Sequence, residues 1–510
     1  MYSPRTVTPS TDIVVIGAGL AGLSTALHLA GAGRAVVVVE QASGPGGKAG
    51  VFTRDGYTFD NGPTVLTMPD LIRETFAAVD EDMDDRLELL GVHPAYRAHF
   101  HDGSALDVLT DTDEMAEEIA RICGAREADG YRRFTAFLQR LYDAEFDHFI
   151  NRNIDSPFDL PLPHLARLVA LGAFRGMESK VRQYLRDPRT IRVFSFQALY
   201  AGVAPHRARA LYSVISYMDT VGGVFLPRGG MHALPQALAA AARDHGVTFR
   251  YNTTVERVEM TSHGRARAVI TTAGDRIPAD AVVVTADPAL AFPQLLGRAS
   301  RRLNRMKFSP SCYLLLAGAA RDEATTVPRI AHHNIHFGNS WRRCFDEIID
   351  RGALMSDPSF LVSVPTVTDP TLAPPGHDSY YVLFPTPNLA HGRHDWNSEA
   401  PRYREHVLKT LDERGFSNLA QQPQAEHVLT PRDWQARGCP VGTPFSAAHT
   451  FRQTGPFRTR NILGDNIVLA GAGTHPGVGV PTALISGRLA AERITGPSAP
   501  VARIAPGRHR

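Results

Sequence analysis

"DIVVIGAGLAGLSTALHLAGAGRAVVVVE" occupies residues 12–40, and its reading decides the fold. Val14, Val15 and Ile16 read as a short buried strand, residues 20–30 have helical composition, and residues 35–39 form a second strand. The three together make a right-handed βαβ unit. Gly17, Gly19 and Gly22 match GxGxxG, which permits a tight turn, close approach of a pyrophosphate, and tight packing of helix on strand. Glu40 ends the second strand, where an acid takes the hydrogens of an adenosine ribose. GxGxxG alone is a weak signal. With strand, helix and acid each in place, a dinucleotide site is the reading, over a glycine turn without a ligand.

The next stretch discriminates between dinucleotides. "ASGPGGKAG" covers residues 42–50; Gly46 and Gly47 let the chain pass close to phosphates, and Lys48 can neutralise them. A surface turn is the plain alternative. An NAD unit has no need of a second phosphate-hugging loop here, whereas FAD units commonly carry one. FAD is the expected cofactor.

At the far end, "AGAGTHPGVGVP" (residues 470–481) follows the apolar "NIVL" and precedes "PTALISGRLAAERI". Dense glycine marks a forced turn or a backbone held close to something. The pattern reads as strand, glycine-rich turn, and a helix opened by Pro481. Such a helix start offers free N–H groups and a positive dipole end to something electron-rich.

Composition bounds the rest. A chain of 510 residues with 43% hydrophobic content has room for two or three domains. A net charge of +2 with interspersed signs gives no basic field for nucleic acid, which is not expected as a partner. Cys123, Cys312, Cys344 and Cys439 form no CxxC pair, which suits a reducing compartment and argues against a structural zinc site. His332, His333 and His336 in "AHHNIHFG" have no carboxylate cluster or cysteine pair beside them, so no metal is expected. The N-terminus lacks the features of a signal peptide, and no apolar run reaches eighteen residues. Residues 496–510, rich in Pro, Ala and Arg, read as a disordered tail.

The chain resembles the FAD-dependent amine-oxidase-like flavoproteins, and among them the bacterial-type phytoene desaturases of carotenoid synthesis. The resemblance is carried by the two glycine segments, by "FDNGPTVLTMP" (residues 59–69), "FLPRGGMHALPQAL" (225–238), "DPTLAPPGHDSYYVLFPTPNL" (369–389) and the closing turn. It implies an α/β fold with a discontinuous Rossmann-like FAD domain built from residues 10–75, 225–290 and 455–495. A mixed-sheet substrate domain would come from 76–224 and 291–454, with a helical region at about 100–220. It further implies that Gly62, Pro63, Thr64, Val255 (through its backbone), Gly471, Gly473, Thr474, Gly479 and Val480 lie at the cofactor. Two departures stand out. Ala472 replaces the acid that amine oxidases usually carry there, with Thr474 a possible substitute, and Lys48 stands where Arg is usual, keeping charge but losing the bidentate fork.

The activity this implies is desaturation of a long polyene hydrocarbon: hydride to FAD and loss of a neighbouring proton. Positioning and dryness matter more there than a strong nucleophile. With no second GxGxxG for NAD(P)H, the electrons are expected to pass to oxygen or a quinone. Acid–base candidates are His475, which otherwise fixes the turn before Pro476, and Glu145, Asp147 and His148, otherwise solvated helix positions. Residues 162–185 combine an apolar surface (Leu165, Leu168, Val169, Leu171, Phe174) with Arg167, Arg175, Lys180 and Arg182. They read either as a peripheral membrane contact or as a lid on the core. A cytoplasmic protein docked on a membrane is the expectation. A carotenoid isomerase, a ketolase, an amine oxidase or a non-enzymatic prenyl-binding protein of the Rab-escort type remain the competing readings on this scaffold.

Overall fold

The computed structural model describes residues 13–321 and 330–497. The expected tail at 498–510 and the first twelve residues lie outside the described residues.

The glycine-loop unit forms as its pattern requires. Ile13–Ile16 and Val36–Val39 pair in parallel, with the helix Leu20–Gly31 between them in sequence. They sit inside a six-stranded sheet ordered Ile462–Leu463, Ile467–Leu469, Ala281–Val284, Ile13–Ile16, Val36–Val39 and Thr248–Arg250. Every pair is parallel except the first. Strands covered on both faces read as unbroken apolar runs, and here they are "IVVI", "VVVV" and "AVVV". Alternate side chains serve different layers. Ile13 and Val15 pack with the helices, while Val14, Ile16, Val282 and Val284 pack on Val258, Val269 and Ile277. The latter belong to an antiparallel three-stranded sheet, Val255–Met260, Ala266–Thr271 and Arg276–Pro278.

The closing helix Val480–Thr495 lies against Leu20–Gly31 at backbone distance. A Cβ at Gly487 would stand 2.4 Å from the Ala21 carbonyl oxygen. The Ser24 and Thr25 hydroxyls donate across the contact to the carbonyls of Leu484 and Gly487, at 2.8 and 3.1 Å. The last helix of the described residues is thus locked onto the first.

The second sheet has seven strands, centred on the ten-residue antiparallel pair Ser311–Ala320 and His377–Thr386. Helix Trp396–Glu413 covers one face through Val407 and Leu411. The other face meets the hairpin strand Tyr57–Asp60, with Tyr57 and Phe59 packed on Leu314 and Leu316.

Helices including Ala125–Glu145, Leu162–Leu171 and Ser213–Thr220 form the remaining layer. Here one expectation is corrected. The basic and apolar stretch 162–185 is not one surface: the helix stops at Gly172 in a left-handed cap, and a short second helix, Met177–Val181, turns inward. Lys180 is buried with its ammonium 4.7 Å from the centre of the Phe137 ring, and Arg182 pairs with Glu178 at 2.8 Å. Arg167 and Arg175 remain exposed. No helix of the described residues is long and apolar enough to cross a membrane.

Candidate active site

The two glycine segments meet. The Gly46 N–H donates to the Ala18 carbonyl at 2.9 Å, and Gly19 bridges Gly46 in parallel. At Gly17, Gly22 and Gly47 nothing larger than glycine fits. A Cβ on Gly17 would lie 2.2 Å from Thr285 Oγ1, one on Gly22 2.0 Å from the Gly17 oxygen, and one on Gly47 3.0 Å from Gly19 Cα. Gly22 therefore packs helix on loop and does not face the cavity, whereas Gly17, Gly19, Gly46, Gly47 and Lys48 line it. Lys48 Nζ donates to the Pro444 carbonyl at 2.8 Å. Glu40 braces the junction, one carboxylate oxygen accepting from Ala18 N–H at 2.7 Å and the other from Ala42 N–H at 2.8 Å.

From these loops runs a cavity of about 1430 Å³ with a predominantly apolar wall. That exceeds the roughly 300–1,000 Å³ of an ordinary small-ligand pocket. Val255 lines it beside the loops. Gly62, Pro63 and Thr64 form another wall, held by Tyr381, whose hydroxyl donates to the Gly62 carbonyl at 2.9 Å. The buried His333 ring backs that segment, with Nε2 3.2 Å from the Thr64 oxygen. His332 instead meets Thr368, and His336 is stacked between His99 and Phe360. The His332 and His333 rings stay in contact, 4.3 Å between centres, while His336 packs elsewhere.

The closing turn supplies the opposite wall through Gly471, Ala472, Gly473, Gly479 and Val480. Thr474 does not join them: its hydroxyl donates to the Gly471 carbonyl at 3.0 Å and lies 3.2 Å from Ser486 Oγ, behind the turn. It therefore does not replace the acid missing at Ala472. A residue that sequence reasoning passed over holds the turn from behind. Arg458 donates to the carbonyls of Thr474 at 2.7 Å, Ala472 at 2.5 Å and Gln453 at 3.2 Å. Burial pushes its guanidinium down to about 10, still cationic at neutral pH. His475 lines the cavity with its ring pushed down to about 4, chiefly by burial and then by Arg458, so it stands neutral.

Of the acid–base candidates in residues 145–148, only Glu145 reaches the cavity. Asp147 is exposed, and His148 stacks on His164 with ring centres 3.3 Å apart. Burial alone raises Glu145 to about 8. Asp219, unrecognised in the sequence, lines the cavity as well; burial lifts it to about 8 although Tyr96 donates to it at 3.1 Å.

A model of the flavin containing amine oxidoreductases matches residues 20–495. Over 504 residues the chain is 53% identical to a phytoene dehydrogenase of Streptomyces griseus, covering 98% of each chain. The chain belongs to the phytoene desaturase family of flavin containing amine oxidoreductases. It is 37% identical to a zeta-carotene-forming phytoene desaturase of Myxococcus xanthus, over 96% of this chain and 94% of the relative. Among solved structures, an oxidoreductase of Methanosarcina mazei shares the fold with a TM-score of 0.60 at 15% identity, over 93% of this chain and 98% of that one.

As a member of this family the protein is an FAD-dependent oxidoreductase. The residues present fit the cofactor. The helix Leu20–Gly31 begins at Gly19 with no side-chain cap and no acid in its first turn, leaving its first amides for a phosphate. The closing helix begins at Gly479, likewise without a side-chain cap, at the same cavity. Gly17, Gly19, Gly46, Gly47 and Lys48 would hold the pyrophosphate and Glu40 the ribose.

Proposed function

We propose that the protein desaturates a long polyene hydrocarbon of the phytoene class, in carotenoid synthesis. The observation that carries this reading is the single apolar cavity joining the dinucleotide loops to the helical layer, and the names of the full-length relatives support it. Bound FAD supplies the hydride acceptor. The chain's own residues do the rest: the apolar wall excludes water, the turn at Gly471–Gly473 presents backbone to the reacting end, and Arg458 fixes that turn. Oxygen or a quinone takes the electrons onward. Expression in a phytoene-accumulating host tests the proposal. Coloured polyenes with more conjugated double bonds are the expected result. Unchanged phytoene, or a shifted cis–trans ratio at constant desaturation, would replace it by another carotenoid-directed activity.

Delivery follows from the mouth of the cavity. Leu160, Leu165, Leu168 and Phe174 line the cavity from the segment around Leu162–Leu171, and Phe451 and Phe457 line it too, with Arg209 reaching both the Phe174 carbonyl and the Phe451 ring. That segment also exposes Phe158 (97%), Leu162 (74%) and Val169 (59%). With Phe451 and Phe457, these are five of the six large apolar side chains exposed among the described residues, so the exposed apolar surface concentrates on segments that also line the cavity. Exposed Arg167, Arg175 and Arg209 stand beside it. In our reading this rim rests on a membrane and admits substrate from the acyl layer. The triple variant Phe158→Ser, Leu162→Ser, Val169→Ser is expected to bind anionic liposomes at least tenfold more weakly, since each fully buried side chain is worth about 1.5–3 kcal/mol. Its flavin content should match the parent's. Undiminished co-sedimentation would return the helix to the role of a lid.

A further inference from the structure

Removing hydrogen across a carbon–carbon bond releases a hydride and a proton, and the proton needs an acceptor inside a wall that is otherwise dry. Four carboxyl side chains line the cavity: Glu40, Glu145, Asp219 and Asp287. Three are engaged. Glu40 holds the amides of Ala18 and Ala42, Asp219 accepts from Tyr96, and Asp287 accepts from Ala289 N–H and Ser446 Oγ. Glu145 differs. It is 6% exposed and its Oε2 has no hydrogen-bond partner among the described residues; Asp219 Oδ1 is unpartnered too, but that carboxyl is held through Oδ2 by Tyr96. Leaving a buried polar group unsatisfied is costly unless something else meets it. The helix Ala125–Glu145 also gives way there to a π-turn, Phe146–Ile150, a distortion frequent at functional sites, and of the three π-turns among the described residues it is the one immediately preceded by a cavity-lining carboxyl.

Phe149 and Ile150 of that π-turn line the cavity too, and their backbone lies beside the His475 ring of the closing turn. Tyr212 feels the Glu145 charge and donates to the His449 carbonyl at 2.8 Å. The His449 ring in turn packs on Gly477. Glu145 therefore belongs to the wall next to the glycine turn.

We propose that the Glu145 carboxylate accepts the proton released in the desaturation. This rests on the desaturase reading above. One C–H bond gives its hydride to bound FAD, and the neighbouring C–H bond gives its proton to Glu145 while its electron pair completes the new C=C. The polyene loses two electrons, FAD gains them, and Glu145 ends neutral until it passes its proton to water. Burial strengthens it for the task, raising it to about 8, whereas burial weakens His475 to about 4. The titratable and charged groups on the packed elements are Asp113, Glu114, Glu117, Glu118, Arg121 and Cys123 on Thr112–Cys123, Tyr217 and Asp219 on Ser213–Thr220, His164 and Arg167 on Leu162–Leu171, Asp147 and His148 on the π-turn, and Tyr212; burial is the sole cause of the Glu145 shift.

The test compares wild type, Glu145→Gln and Glu145→Asp as FAD-loaded protein with phytoene in liposomes, without oxygen. Flavin bleaching is expected to be about 100-fold slower in Glu145→Gln, the scale of lost general-base catalysis, with flavin content and phytoene binding unchanged. In wild type the bleaching rate should rise with pH to a plateau above about 8, because only the ionised carboxyl accepts a proton, and this limb should vanish in Glu145→Gln. Infrared spectra of the resting protein give a readout apart from turnover: a carboxyl C=O band that titrates near that pH and is missing in Glu145→Gln. Should Glu145→Gln lose its flavin, Glu145→Asp must show slowed bleaching with the pH limb retained. If phytoene does not bleach wild type, the desaturase reading falls and this role with it. If wild type bleaches and the variants match it at every pH, the role of Glu145 alone is overturned.

Discussion

Gly473→Val is expected to abolish turnover and remove most of the bound FAD while the two sheets still form. A Cβ at Gly473 would stand 2.2 Å from Pro288 Cδ and 3.1 Å from Asp287 Oδ2. Neither neighbour can yield. Pro288 opens the helical turn just after the central strand Ala281–Val284, and Asp287 ties that turn to Ser446. The closing turn must move instead, and it is pinned on its other side by the three Arg458 hydrogen bonds. Overpacking of this kind costs about 1–3 kcal/mol in general, and here it falls on the cavity wall. The resemblance placed Gly473 only at the cofactor; the structure puts the first collision of a side chain there with Pro288, so even Gly473→Ala should lose flavin. Flavin absorbance per chain and pigment yield measure the effect. Normal values for both in Gly473→Val would mean that the turn is not held as described.

Glu40→Ala should weaken FAD binding by at least about 100-fold. Hydrogen bonds to a charged group are worth about 1.5–3 kcal/mol each, and every 1.4 kcal/mol is roughly a factor of ten. Two such bonds, to Ala18 and Ala42, tie the glycine loop to the chain beyond the second strand, and in the proposed site the remaining lone pairs would take the ribose hydroxyls. Removing the carboxylate thus loosens the loop as well as deleting a ligand contact. Titration of the apoprotein with FAD gives the affinity directly. A dissociation constant within a factor of three of the parent's would exclude Glu40 as the ribose partner.

What could be read from the sequence was what local pattern specifies. Glycine spacing, unbroken valine runs and an acid at a strand end are consecutive features, and each marked its element. Residues whose role depends on distant partners were silent. Arg458 looks like any surface arginine until the closing turn folds over it, and Asp219 like any helix acid until Tyr96 arrives from another sheet. Lys180 misled for the same reason: helical spacing cannot say that an ammonium is buried over Phe137. Thr474 was misjudged because a one-residue difference in a tight turn decides which side of the backbone faces the cavity, and Ser486 claims it from within.

The order of strands in the six-stranded sheet has a consequence for how the protein is made. Its central strand, Ala281–Val284, sits between Ile13–Ile16 and Ile467–Leu469, so neighbours in space are far apart in sequence. At about 5–20 residues per second of synthesis, the first strand waits on the order of 20–90 seconds for the last. Throughout that interval the glycine loop has no closing helix against it, and the nascent sheet keeps an open apolar edge. FAD capture therefore waits until the closing strand and helix have been made. A cell short of FAD at that moment would accumulate chains with an exposed core, and their abundance, not merely their activity, would follow the flavin supply.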